Sequence, residues 1–170
     1  MRVIFLDIDG VLNRLKPLSN GYCGIDGYNL DNLCKILSHF PDVRIVLSSA
    51  WRYLVHNGDF SLRGFEYLLC IHGADADVIK DRIIGVTETD EDTLERLLQK
   101  SATINLLVEY GITIRRSQIR KWVRDNNVEQ FIVIDDLDLR MEGLRKTDPD
   151  IGLDSRMAKE IIEKDFQNAE

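Results

Sequence analysis

Apolar positions along the chain fall into two patterns: short runs that end in turn residues, and longer stretches in which they recur at helical spacing. Residues 2–8, RVIFLDI, form a short run rich in β-branched and aromatic side chains that stops at Asp9-Gly10, as a buried strand feeding a tight turn would. From Asn13 to Tyr28, Pro17, Asn20-Gly21, Gly24 and Gly27 break every period, so this stretch is read as a loop over one end of a sheet, a lid or substrate loop. Leu30, Leu33, Ile36 and Leu37 predict an amphipathic helix over 29–40 that Pro41 stops, and RIVLSS at 44–49 is a second strand. A helix over 62–71 ends before Gly73, and Ile83 to Val86 form a third strand.

The second half repeats the alternation. Residues 88–110 open with Glu88, Asp90, Glu91 and Asp92 and carry Leu94, Leu97, Leu98, Leu106 and Leu107 at helix spacing, which predicts one or two helices. A further helix over Ser117 to Asn126 turns Ile119, Trp122 and Val123 inward, and FIVIDD at 131–136 is a strand. Leu144 to Thr147 is an edge strand, and Asp154 caps a helix running through Asp165. Alternating strands and helices predict an α/β fold, a Rossmann-like parallel sheet covered by helices on both faces. Residues 1–170 are read as a single domain with a small or absent cap; 14–28 and 88–110 are the candidate cap or insertion segments.

Composition supports this picture and limits the partners. A chain of 170 residues can bury roughly 70% of its unfolded surface, which is enough for a core without staples. With 22 Lys plus Arg against 29 Asp plus Glu, the net charge is −7. Such a surface argues against non-specific nucleic-acid binding, which depends on many cations neutralising phosphates. Cys23, Cys34 and Cys70 have no paired short spacing, so neither a disulfide framework nor a zinc ribbon is expected and the compartment reads as reducing. The first apolar run is too short for a signal peptide and none approaches a membrane span, which places the protein in the cytoplasm.

In open α/β sheets the ligand site lies beyond the carboxyl ends of the strands, where the strand order reverses. Two predicted strands end there in acids: Asp7-Ile8-Asp9-Gly10 and Asp135-Asp136. Converging carboxylates repel one another, and a hard cation with oxygen ligands relieves this; Mg²⁺ suits an octahedral site that keeps some water. RIVLSSAW brings Ser48 to the same edge, with Ser49 its rival, where a hydroxyl can hydrogen-bond a phosphoryl oxygen. Arg115 and Arg116, placed at the start of the helix before the last long strand, are the candidate phosphate cations, and spacing does not choose between them.

A strand followed by D7-I-D-G-V-L-N13, a strand with S48, a basic residue, then a strand with D135-D136 resembles the haloacid dehalogenase (HAD) superfamily of phosphatases. The resemblance implies that Asp7 is a nucleophile forming an aspartyl phosphate and that Asp9 protonates the leaving group and later activates water. It further implies that Ser48 holds the phosphoryl group and that Arg115 or Arg116 replaces the usual third-motif lysine, with Lys80 and Lys121 as alternatives. Asp135 and Asp136 would then position Mg²⁺ together with Asp7 and the Asp9 carbonyl. LSSAWR at 47–52, RRSQI at 115–119 and VIDD at 133–136 are similar to a small-cap subgroup, some of whose members are domains attached to RNA-repair proteins. The implied activity is Mg²⁺-dependent hydrolysis of a phosphate monoester, with a nucleotide or polynucleotide end ranked first. A phosphotyrosine or phosphoserine phosphatase is the enzyme alternative, and a catalytically silent binding module is the alternative of another class.

Simpler readings weigh on individual residues. Asp7 to Leu18 is no EF-hand loop, because Gly10 directly follows the second acid and the twelfth position is Leu18. Arg116, Arg120 and Arg124 are spaced as a solvated helix stripe. Trp122 reads as packing, while Trp51 can either pack or line the site. His39, His56 and His72 lack metal-ligand spacing, and no Ser or Cys has an evident base partner.

Overall fold

Five parallel strands, β1 (Arg2–Leu6), β2 (Arg44–Leu47), β3 (Ile83–Val86), β4 (Gln130–Asp135) and β5 (Leu144–Lys146), form one sheet in the order β3-β2-β1-β4-β5. The helices are α1 (Gly27–His39), α2 (Arg52–His56), α3 (Leu62–Ile71), α4 (Ala76–Ile79), α5 (Ile104–Asp125) and α6 (Ser155–Lys164). The structure, a computed structural model, describes residues 1–16, 24–88 and 104–166. The proposed cap segments 14–28 and 88–110 therefore lie partly outside the described residues, at 17–23 and 89–103.

Side chains alternate across a strand, and here both faces are dry. Ile4 and Leu6 of β1, Ile45 and Leu47 of β2, and Ile132 and Ile134 of β4 pack with Leu33 and Ile36 of α1, Phe65 of α3 and Ile161 of α6. Val3, Phe5, Val46 and Val133 point the other way, onto Ile112 and Ile119 of α5. Phe5 meets Trp122 edge to face at 5.7 Å, so Trp122 is a packing residue of this second core.

Local capping sets where several helices begin. Asp26 accepts from Tyr28 N–H at 2.9 Å and starts α1 ahead of the expected position, Ser61 accepts from Gly64 N–H for α3, and Asp154 accepts from Met157 N–H for α6. The one-turn helices α2 and α4 were not expected, because elements this short carry no readable period.

The separate helices expected within 88–110 and over 117–126 are, from Ile104 onward, a single helix, α5. Gly111 does not break it: a helical glycine costs only about 1 kcal/mol. Burying Ile112 and Ile119 against the sheet stabilises by more than that. Among the described residues, no helix is long and apolar enough to cross a membrane.

The turn before α6 is tightly fitted. Gly152 has φ +78°, and a Cβ there would meet Asn29 Nδ2 and lie 2.6 Å from the Val11 carbonyl oxygen. Gly152→Ala is expected to lower the unfolding free energy by at least about 1–3 kcal/mol, the cost of the left-handed backbone alone. Urea denaturation checks this; a variant as stable as the parent would show that the turn relaxes freely.

Candidate active site

The site follows from strand register. Leu6 pairs with Leu47 on one side and Ile134 on the other, so the residues one step further on, Ser48, Asp7 and Asp135, stand in a row at the carboxyl edge. Hydrogen bonds extend the pattern into that row: Ser48 N–H donates to Leu6 C=O at 3.0 Å, and Asp7 N–H to Ile134 C=O at 3.0 Å. The row straddles β1 and β4, where the chain order reverses, the usual position for a ligand crevice in such sheets.

Asp7 and Asp135 are 3% and 0% exposed, and their carboxylates share one cation. Arg115 Nη1 donates to Asp7 Oδ2 at 2.5 Å and to Asp135 Oδ2 at 2.7 Å. The remaining oxygens are held by backbone: Asp7 Oδ1 accepts from Ile8 N–H and Asp135 Oδ1 from Leu137 N–H. Burial by itself would weaken the hold of Arg115 on its proton, but the two flanking carboxylates outweigh it and raise its pKa above the ordinary value.

The same burial pushes the Asp135 carboxyl up to about 6; Arg115 pulls it down and the Asp7 charge adds to the rise. Asp136 is also raised, first by burial and then by Asp7. Oxygens of Asp7, Asp135 and Asp136 lie within 4.8 Å of one another, a cluster able to hold a metal ion. Gly10 leaves room for this arrangement: its φ is +72°, and a Cβ there would sit 2.8 Å from the Asp136 side chain.

Asp9 faces a different set of groups. Its carboxylate accepts from Trp51 Nε1 at 3.2 and 3.0 Å and from Asn13 Nδ2 at 2.7 Å, while Asn13 Oδ1 accepts from Gly10 N–H at 2.9 Å. Thr147 Oγ1 donates to Gly10 C=O at 2.8 Å, tying the β5 exit to the same turn. Ser48 Oγ is buried and has no hydrogen-bond partner among the described residues. Beneath it, Arg52 Nη1 donates to the carbonyls of Ser48 at 3.0 Å and Ser49 at 2.8 Å, and Arg52 Nε to Glu88 C=O, bracing the loop after β2.

Residues 3–158 match the family described as the HAD domain in Swiss Army Knife RNA repair proteins. The chain belongs to this HAD family. Membership carries a phosphatase-like function at the level of the superfamily, on a fold that this sheet reproduces. Comparison with curated proteins and with solved structures gives no match.

Within this HAD domain, Asp7, Asp135, Asp136, Ser48 and Arg115 meet at one edge. Arg115 and Arg116 do not stand at a helix start, as expected, but well inside α5. The helix buries Ile112 and Ile119 on the sheet, and this seating puts Arg115, not Arg116, between the two aspartates. Lys121 pairs instead with Glu88 and Asp125 at the surface, and Lys80 precedes β3, at the opposite end of the sheet. Ser49 Oγ accepts from Trp51 N–H at 3.3 Å and serves the turn. The sequence reading missed Arg52 and the part played by Asn13 and left Trp51 undecided; LSSAWR contained two of the three, but a motif string does not say where a side chain lands.

The Asp135 shift has a measurable consequence. An unfolded aspartate titrates near 4, so between about pH 4 and 6 the folded chain keeps a proton that the unfolded chain has lost. The Asp135 contribution to stability therefore falls as pH rises through that window and is level above it. In divalent-free buffer, the stability of Asp135→Asn relative to the parent should rise by about 2–3 kcal/mol from pH 4 to pH 7. Urea titrations at the two pH values measure it, and parallel curves would contradict the assignment.

Proposed function

We propose that this HAD domain is a Mg²⁺-dependent phosphatase that hydrolyses a phosphate monoester through an aspartyl phosphate on Asp7. The observation carrying the proposal is the row of Ser48, Asp7 and Asp135 with Arg115 bridging its two acids. The site fits a divalent cation: three clustered carboxylates face one guanidinium, which leaves a formal excess of two negative charges. Asp7, Asp135, Asp136 and the Asp9 carbonyl would hold Mg²⁺, which when bound neutralises charge on the phosphoryl oxygens.

The residues then divide the work. An Asp7 carboxylate oxygen attacks phosphorus as the bond to the leaving oxygen breaks; that oxygen takes the electron pair and a proton from the Asp9 carboxylic acid. Arg115 and the Ser48 hydroxyl, unpartnered among the described residues, bind the phosphoryl oxygens, and Arg52 keeps the Ser48 loop in place. In the second half, water attacks the phosphorus of the aspartyl phosphate while Asp9 accepts its proton. Inorganic phosphate leaves and the Asp7 carboxylate is restored. Splitting hydrolysis in this way lets one preorganised set of donors serve both steps.

For the substrate we favour a nucleotide or polynucleotide end, supported by the RNA-repair description of the family. The acidic surface favours recognition of that end over non-specific grip on the polymer. We place the protein in a reducing compartment, the cytoplasm, a reading that the free thiols of Cys34 and Cys70, the cysteines among the described residues, fit.

Turnover of p-nitrophenyl phosphate should require Mg²⁺, stop with EDTA and fall at least ~10³-fold in Asp7→Asn. A panel of 5′ and 3′ nucleotides, phosphorylated oligonucleotides and phosphopeptides then ranks the substrates by kcat/KM. Preference for phosphopeptides would replace the nucleic-acid assignment with a protein phosphatase, and no turnover of any substrate would replace the enzyme with a binding module.

A further inference from the structure

Asp9 is gripped from outside its own loop. Trp51 Nε1 reaches both carboxylate oxygens, at 3.2 and 3.0 Å, from the turn after β2, and Asn13 Nδ2 holds Oδ1 from the other side. The indole is itself held in place: Trp51 N–H donates to Ser49 Oγ at 3.3 Å, and the ring stands edge-on to Phe65 of α3, centroids 6.1 Å apart at 89°. Phe65 is fully buried in the main core, so the contact ties the direction of the Asp9 carboxyl to a rigid element.

We infer that Trp51 is the positioning residue for proton transfer by Asp9, its indole N–H aiming the carboxyl group at the leaving oxygen. The inference rests on the phosphatase reading above. Asp9 projects from a turn, where a carboxyl group has rotational freedom, and proton transfer requires its oxygen within hydrogen-bond reach of the leaving group. A packed indole supplies that restraint without taking part in bond making. In the first step the proton passes from the Asp9 O–H to the leaving oxygen as its bond to phosphorus breaks; the Trp51 N–H is neither gained nor lost.

The test uses leaving groups that differ in their need for a proton. Phenyl phosphate expels a strongly basic phenolate and needs the acid, whereas 2,4-dinitrophenyl phosphate expels a stable anion and does not. Trp51→Phe retains a ring beside Phe65 and removes the N–H. It should lower kcat/KM, which reports the steps through expulsion of the leaving group, about 30- to 100-fold on phenyl phosphate and less than about 3-fold on dinitrophenyl phosphate. Asp9→Ala should lower kcat/KM more on phenyl phosphate than on dinitrophenyl phosphate, and should also slow kcat on both because it removes the base of the second step.

Equal losses of kcat/KM on both substrates, or no loss on either, overturn the positioning role while leaving the phosphatase standing. A parent protein inactive on both and on every member of the nucleotide, oligonucleotide and phosphopeptide panel overturns the phosphatase and the positioning role together. A readout independent of activity, and of whether Trp51→Phe folds, is the Trp51 indole N–H resonance in the parent protein. It should move upfield in Asp9→Ala, and a resonance that stays in place overturns the contact.

Discussion

Two carboxylates side by side at the buried end of a parallel sheet are the constraint around which this molecule is organised. Strand register leaves no freedom in the matter: once Leu6 lies beside Ile134, Asp7 must lie beside Asp135. Water reaches neither side chain to a useful extent, so their repulsion has to be met by protein groups. Arg115 meets most of it with one nitrogen shared between the two acids, and the amides of Ile8 and Leu137 hold the outer oxygens. Burial first, and the Asp7 charge after it, still raise Asp135 to about 6 and raise Asp136 as well, so Arg115 does not fully offset the two together. An anionic edge short of positive charge fits the proposed phosphoryl chemistry, in which a divalent cation would complete it.

That arrangement depends on packing far from the site. Arg115 reaches the aspartates because α5 lies on the face of the sheet made by Val3, Phe5, Val46 and Val133, anchored through Ile112 and Ile119. The opposite face, filled by α1, α3 and α6, supplies Phe65, against which Trp51 stands while it holds Asp9. Arg115 and Trp51, the two groups that hold the acids of the site, are thus fastened to different cores, and the sheet between them sets their spacing. Gly10 sits at the junction, its missing Cβ giving space to Asp136.

Much of this could be read in the chain. The apolar runs at 2–8, 44–49 and 131–136 announced the three inner strands, and the acids ending two of them announced the crevice, because apolar strands seldom deliver adjacent charges without a use for them. Strand β3 and helix α3 also lie where the pattern placed them. The break expected between the helices of 88–110 and 117–126 is absent beyond Ile104, since local signals such as Gly111 carry about 1 kcal/mol and yield to burial.

What the sequence determined by itself was therefore the set of elements with strong periodicity and the residue types at their ends, since both are local properties of the chain. The tertiary structure decided which side chains meet. Arg115 and Arg116 both stand at helical spacing from Ile119, four and three residues before it, and only the rotation of α5 against the sheet selects Arg115. Trp51 likewise became a partner of Asp9 because two loops distant in sequence leave adjacent strands at the same edge. Contacts of this kind depend on register, helix rotation and packing depth, which are set by the whole core at once and leave no mark in a short stretch of sequence.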